Sequence, residues 1–156
     1  TANAATSYLE NRLLSFIFKN NAASFSTPGD TIYVGLATAV SNFDDSTGES
    51  GTPAITEADF TNYARVQVTA ANWTLTADTA NQQTITNAAN IDFAASGGGG
   101  TDVITHCFIA THASASLDTL GSGGNVLFIG ALDASKSIAT GDIFRINAGN
   151  LTIELK

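Results

Sequence analysis

Val-Ile-Thr-His-Cys-Phe-Ile-Ala-Thr (103–111) is the stretch that decides the fold. It is dense in β-branched and aromatic residues and apolar on both faces, which is how a strand in the middle of a sheet reads. Val-Leu-Phe-Ile-Gly-Ala-Leu (126–132) has the same character. The segments around this pair are lighter and alternate. Residues 31–38 put Ile32, Val34 and Leu36 on one face, and 63–69 set Ala64, Val66 and Val68 against Tyr63, Arg65 and Gln67. Residues 73–76 are short, and 88–94 carry Ile91 and Phe93 on one side. Residues 143–147 and 151–155 follow, with Ala-Gly-Asn (148–150) as a tight connection between them. In the last segment Leu151, Ile153 and Leu155 are expected to face inward, and Thr152 and Glu154 outward.

The expectation is a mainly β chain, an antiparallel β-sandwich of about eight or nine strands. A βαβ fold is disfavoured because no second helical segment alternates with the strands. One N-terminal α-helix is expected over residues 7–19. Ser7 and Glu10 form a capping box, Leu9, Leu13, Phe16 and Ile17 make one apolar stripe, and Lys19 suits the last turn. That stripe must be buried against the sheets or against a neighbouring subunit, so Leu13→Asp or Phe16→Asp is expected to disrupt folding or assembly.

With 156 residues the chain reads as a single domain over 1–156, large enough to fold without disulfide or metal staples. Six basic against fourteen acidic residues give a formal charge of −8. This argues against nucleic acid and against an anionic membrane surface as partners. One cysteine excludes an internal disulfide and a thiolate zinc cluster. Only 13% of residues are charged, and Ala, Thr, Ser, Asn and Gly take their place, a surface suited to dense side-by-side packing. The absence of methionine and the small first residue suit a product made in a cytoplasm with its initiator methionine removed.

No catalytic constellation emerges, so neither an enzyme nor a cofactor is expected. His106 and His112 flank Cys107 in one strand, where residues six apart share a face, but no third metal ligand is spaced nearby. Gly121-Ser-Gly-Gly reads as a hairpin loop, with no nucleophile elbow. Gly97 to Gly100 lacks the Lys-Ser/Thr of a phosphate loop. Asp44, Asp45 and Glu49 lie in an acidic loop over 43–60 without the spacing of a calcium loop. Tyr63 and Trp73 are the aromatic residues best suited to a contact surface.

The succession of segments is itself recognisable. Tyr-Leu-Glu-Asn-Arg-Leu-Leu (8–14) precedes Ile-Tyr-Val-Gly-Leu-Ala-Thr (32–38) and Thr-Asn-Tyr-Ala-Arg-Val-Gln-Val-Thr (61–69). Ala-Asn-Ile-Asp-Phe-Ala (89–94), Ser-Lys-Ser-Ile-Ala-Thr-Gly-Asp (135–142) and Ala-Gly-Asn-Leu-Thr-Ile-Glu-Leu (148–155) follow. This resembles a family of small virion proteins of tailed bacteriophages, tail-fibre-like and related to trimeric cement or decoration modules. Such sequences commonly carry glycines ahead of Tyr-Ala-Arg, where Asp59-Phe60-Thr61-Asn62 stand here.

The resemblance implies a non-enzymatic virion protein, expected on the outer capsid surface as a homotrimer touching the major capsid protein. The alternative is a tail-fibre-associated module binding a receptor or host-surface glycan. Tyr63 and Arg65 are then expected to orient a strand edge. Leu9, Leu13, Phe16, Ile17, Tyr63, Arg65 and Trp73 are the candidate packing and interface residues.

Overall fold

The computed structural model describes residues 4–5, 9, 13–14, 17–18, 32–41, 54–77, 83–99, 102–114, 117–118 and 124–155. The large sheet has seven strands. Its spine runs β1 (Ala4–Ala5), β10 (Gly124–Ile138), β8 (Asp102–Ala110), β2 (Tyr33–Ser41) and β3 (Ala54–Glu57). β4 (Val66–Gln67) shares the outer edge of β2 with β3, and β9 (Leu117–Asp118) pairs with β10. β5 (Trp73–Ala77), β6 (Gln83–Asn87) and β12 (Thr152–Leu155) form a three-stranded sheet. β7 (Ile91–Asp92) and β11 (Arg145–Ile146) form a two-stranded one. Every pairing is antiparallel except β9 with β10.

The three sheets share one core. Val34, Leu36, Cys107, Ile109 and Leu127 come from the large sheet, Ile91 and Ile146 from the two-stranded sheet, and Phe93 and Phe144 from its flanks. Half-buried Trp73 and Ile153 of the three-stranded sheet pack against the same cluster. An aromatic chain runs through it. Phe60 meets Tyr63 edge-on at 5.3 Å between centroids, Tyr63 stacks on Phe93 at 6.1 Å, and Phe93 meets Phe144 edge-on at 5.9 Å. Offset and edge-to-face pairs of this kind add to the area they bury.

Because successive residues of a strand face opposite ways, Ala37, Phe108, Ala110, Val126 and Ile129 form a second cluster on the other face of the large sheet. Both faces of β2, β8 and the first half of β10 are therefore largely buried, which explains their doubly apolar sequences. Phe108 lies opposite Gly35, and a Cβ on Gly35 would stand 2.2 Å from the ring. The glycine is there to leave room for the ring.

Several expectations change. Residues 63–69 contribute only β4, and the acidic loop over 43–60 holds β3. The strand read over 126–132 runs on into the second half of β10, which pairs Lys136, Ser137 and Ile138 with Ile104, Val103 and Asp102 beyond an irregularity in the ladder. The turn at 148–150 is tight, with Asn150 N–H donating to Asn147 C=O at 3.0 Å and Gly149 at φ +80°. It is not a hairpin turn, however, because β11 pairs with β7 whereas β12 pairs with β6.

The expected helix over 7–19 is not present as a continuous described element. Leu9, Leu13, Leu14, Ile17 and Phe18 have helical backbone, and the rest, including Phe16, lies outside the described residues. Leu9 packs against the main core, but Leu13 and Ile17 are 41% and 58% exposed. The core therefore does not cover the whole expected stripe, and tertiary burial is what stabilises most protein helices.

Gly35→Ala is expected to destabilise the fold by about 1–3 kcal/mol, the range for an overpacked core. Urea unfolding reads this as a lower midpoint, and adding Phe108→Leu should restore part of it.

Candidate functional site

The densest polar arrangement lies where β2 loses its partner. On one edge of β2, β4 pairs with Tyr33 and Val34, and β3 pairs from Ala37 onward. Leu36 falls in the gap. Ala58 N–H donates to its carbonyl at 2.9 Å, and the Tyr63 hydroxyl accepts from its amide at 2.9 Å. The same hydroxyl donates to Glu57 Oε1 at 2.8 Å. A side chain thus completes a ladder that two strands leave open, as buried backbone groups require.

Arg65 closes the arrangement. Its Nε donates to Glu57 Oε1 and its NH2 to Oε2, both at 2.8 Å, and NH1 donates to the His112 carbonyl at 2.7 Å. The guanidinium carbon sits 5.6 Å from the centre of the Phe108 ring. This planar, two-point grip on a carboxylate is what arginine provides and lysine cannot. The Arg65 side chain is 3% exposed and that of Glu57 26%. Burial first, and then the Glu57 charge, push the Tyr63 phenol far above its ordinary 10.0, so it stays a neutral donor. The clamp ties β2, β3, the 58–65 segment and the end of β8 together. None of its chemistry resembles a poised nucleophile or base.

The preceding turn shows why the residues ahead of Tyr63 matter. Asn62 has φ 76°, in the left-handed region that asparagine tolerates better than most side chains. Its Nδ2 donates to the Ala95 carbonyl at 3.3 Å. The glycine run lies alongside this turn and bonds it through the backbone, Thr61 N–H to Gly98 C=O and Gly97 N–H to Thr61 C=O, each at 2.9 Å. It is a packing segment rather than a phosphate cradle.

A second polar hub escaped the reading of the sequence. Asn87 is 1% exposed. Its Nδ2 donates to the carbonyls of Ala89 and Asn147 at 2.8 and 2.9 Å, and its Oδ1 accepts from Leu151 N–H at 2.9 Å. Its backbone carbonyl accepts from Gly149 N–H at 2.7 Å. One buried amide thereby holds the 147–151 turn against β6. An asparagine beside Ala-Ala-Asn carries no sequence signal that separates it from an ordinary loop residue.

The other candidates separate. His106 stands where β8 changes register, its Nδ1 2.8 Å from Thr105 Oγ1 and its Nε2 buried without a partner. Burial holds its imidazole below the ordinary value. His112 lies past the end of β8, exposed, with Nδ1 accepting from Ser114 N–H at 3.1 Å, so the two histidines do not share a strand face as expected. Among the described residues no three His, Cys, Asp or Glu side chains come together in a way that could hold a metal, and Asp44, Asp45 and Glu49 lie outside them. Trp73 is half-buried, and its indole N–H donates to the Val68 carbonyl at 3.4 Å. No helix among the described residues is long and apolar enough to cross a membrane.

These features define a β-rich structural module in which the buried side chains of Arg65 and Asn87 fasten strands and loops together. The chain matches the family described as Podophage GP4 fiber I protein gp80 over residues 4–154 and belongs to that family. That membership makes it a tailed-phage virion protein of fibre-like, structural kind. No curated protein matches it.

Arg65→Met removes one partner of a largely buried pair and is expected to cost about 3 kcal/mol in chemical unfolding, the low end for such pairs because Glu57 retains some solvent. The double variant Arg65→Met with Glu57→Gln should recover much of that loss.

A second expectation concerns alkaline pH. Burial pushes the Cys107 thiol from 9.0 up to about 11. The unfolded chain therefore loses this proton first, and stability falls as pH climbs from about 9 towards 11. Replacing Cys107 with Ala should flatten that part of the stability–pH curve. In the native protein at pH 8 the thiol should resist Ellman's reagent until denaturant is added.

Proposed function

We propose that this chain is a non-enzymatic building part of the phage particle, seated in the fibre apparatus and working by adhesion to neighbouring copies and virion proteins. The family match across residues 4–154 carries the reading. It is supported by the uses of the buried polar side chains, since Arg65, Asn87 and Ser96 all bond within the fold. A homo-oligomer with closed symmetry, a homotrimer in the simplest form, suits such a part because it saturates its own contacts.

One observation favours a second placement. The 156 residues contain neither heptads nor collagen-like triplets from which a shaft could be built. A compact trimer on the outer capsid, clamped on the major capsid protein, would need no shaft. It would stabilise the shell by binding the assembled state better than free subunits. The glycan-binding variant of the fibre reading draws little support from Trp73, whose ring is half-buried and whose N–H is already engaged.

Immunogold labelling of intact particles with an antibody against the purified protein separates the two placements. Gold confined to the tail fibres is the expected result. Gold over the head surface alone would reject the fibre placement in favour of cement.

A further inference from the structure

We propose that the edge of β5 that no described strand pairs is a contact between two copies of this chain, paired antiparallel about Leu75. The argument begins with the hydrogen-bond alternation of an antiparallel ladder, in which every second residue bonds the neighbouring strand and the others turn away. β5 pairs with β6 in the register Trp73↔Asn87 to Ala77↔Gln83. Just before it, Ala88 N–H donates to Asn72 C=O at 2.7 Å, and on the far side of β6 Asn87 N–H donates to Leu151 C=O. Both bonds fix the phase. Thr74 and Thr76 bond β6, while Leu75 turns its amide and carbonyl to the open side. The Trp73 N–H on that side already bonds Ala70 C=O in the 3-10 turn Ala70–Asn72. The available edge is therefore short and centred on Leu75.

The side chains point the same way. Leu75 is 70% exposed, whereas its cross-strand neighbours Ile85 and Ile153 are half-buried. It ends an apolar row at the last strand of the sheet. A two-fold pairing about Leu75 continues that row as Ile153, Ile85, Leu75 and then the same three residues of the second copy in reverse. On the opposite face it sets Thr74 of each copy beside Thr76 of the other, a favourable cross-strand pair. The strand is thus complementary to itself.

Among edge strands longer than two residues, charge points to the same edge. Natural sheets guard free edges with charged side chains. Among the other edge strands described, β3 carries Glu57 and β12 carries Glu154, and the two-stranded sheet carries Asp92 and Arg145, whereas β1 and β4 carry no charge but are only two residues long. β5 and its partner β6 carry no charge at all. In a chain of net charge −8, that neutrality lets two copies approach where most of the surface would repel. The contact is two-fold and so distinct from any threefold interface. It does not depend on fibre or capsid placement.

Three variants of the full chain test it, two of them with Cys107→Ala so that the introduced thiol is the only one. Residues in a hydrogen-bonded antiparallel pair have Cα atoms about 5.5 Å apart, within disulfide reach. Leu75→Cys is therefore expected to give a covalent dimer on mild oxidation. Thr74→Cys, two residues out of register with its own copy, should stay unlinked. Leu75→Lys, with circular dichroism and thermal melting as fold controls, should halve the mass seen by light scattering at high concentration. Equal linking of both cysteine variants, no linking of either, or an unchanged mass for Leu75→Lys would overturn the proposal. So would protection of the Leu75 amide from hydrogen exchange only in whole particles, which would assign the edge to a different virion chain.

Discussion

The carboxylate of Glu57 holds together parts of the chain that the strand ladders alone leave apart. β2 passes from β4 to β3 with a break at Leu36, and a break in a buried ladder is tolerated only if its amide and carbonyl find partners. Tyr63 supplies one partner and takes its orientation from Glu57. Glu57 in turn would be a costly half-buried charge without the two-point grip of Arg65. Each member is affordable only because the next is present. Tyr-Ala-Arg is thus a structural motif: its first residue closes the sheet and its third neutralises the acid that positions the first.

The rest of the molecule follows the same economy. The small sheets are too short to be stable alone, and they persist because the aromatic chain from Phe60 to Phe144 and the Asn87 hub fix them over one face of the large sheet. By contrast, the exposed bidentate pair of Arg145 and Asp92 across β7 and β11 contributes little beyond register, as solvated ion pairs generally do. The polar chemistry is spent inside the fold. That fits a structural part of a virion.

What could be read from the residues divides along physical lines. Strands buried on both faces, β2, β8 and the first half of β10, announce themselves through uninterrupted apolar runs. β5 reads as a short segment, and Ile91–Phe93 shows through alternation. The second half of β10 does not, because Asp133 to Ser137 are exposed and polar and are strand only by virtue of pairing with β8. β3 was concealed by an acidic, glycine-bearing neighbourhood that looks like loop. The helical stripe is legible only in part: Leu9, Leu13 and Ile17 are helical and Leu9 packs on the core, but Leu13 and Ile17 stand exposed, since periodicity records only which residues could be buried together. Within the clamp, Tyr63 and Arg65 stood out as a motif, but their partner Glu57 could not, since only the turn through Asn62 brings residues 57 and 65 face to face.

The pairing of Ala4 with Ile129 and Ala5 with Phe128 has a bearing on how the protein is made. The large sheet cannot take up β1 until the chain as far as Ile129 has emerged from the ribosome. Translation therefore runs ahead of sheet closure, and the waiting flank of β10 is open to the β1 segment of another newborn chain. Where many ribosomes on one message release such chains side by side, exchange of that segment competes with self-closure. Dilution or slower synthesis should then favour the closed form.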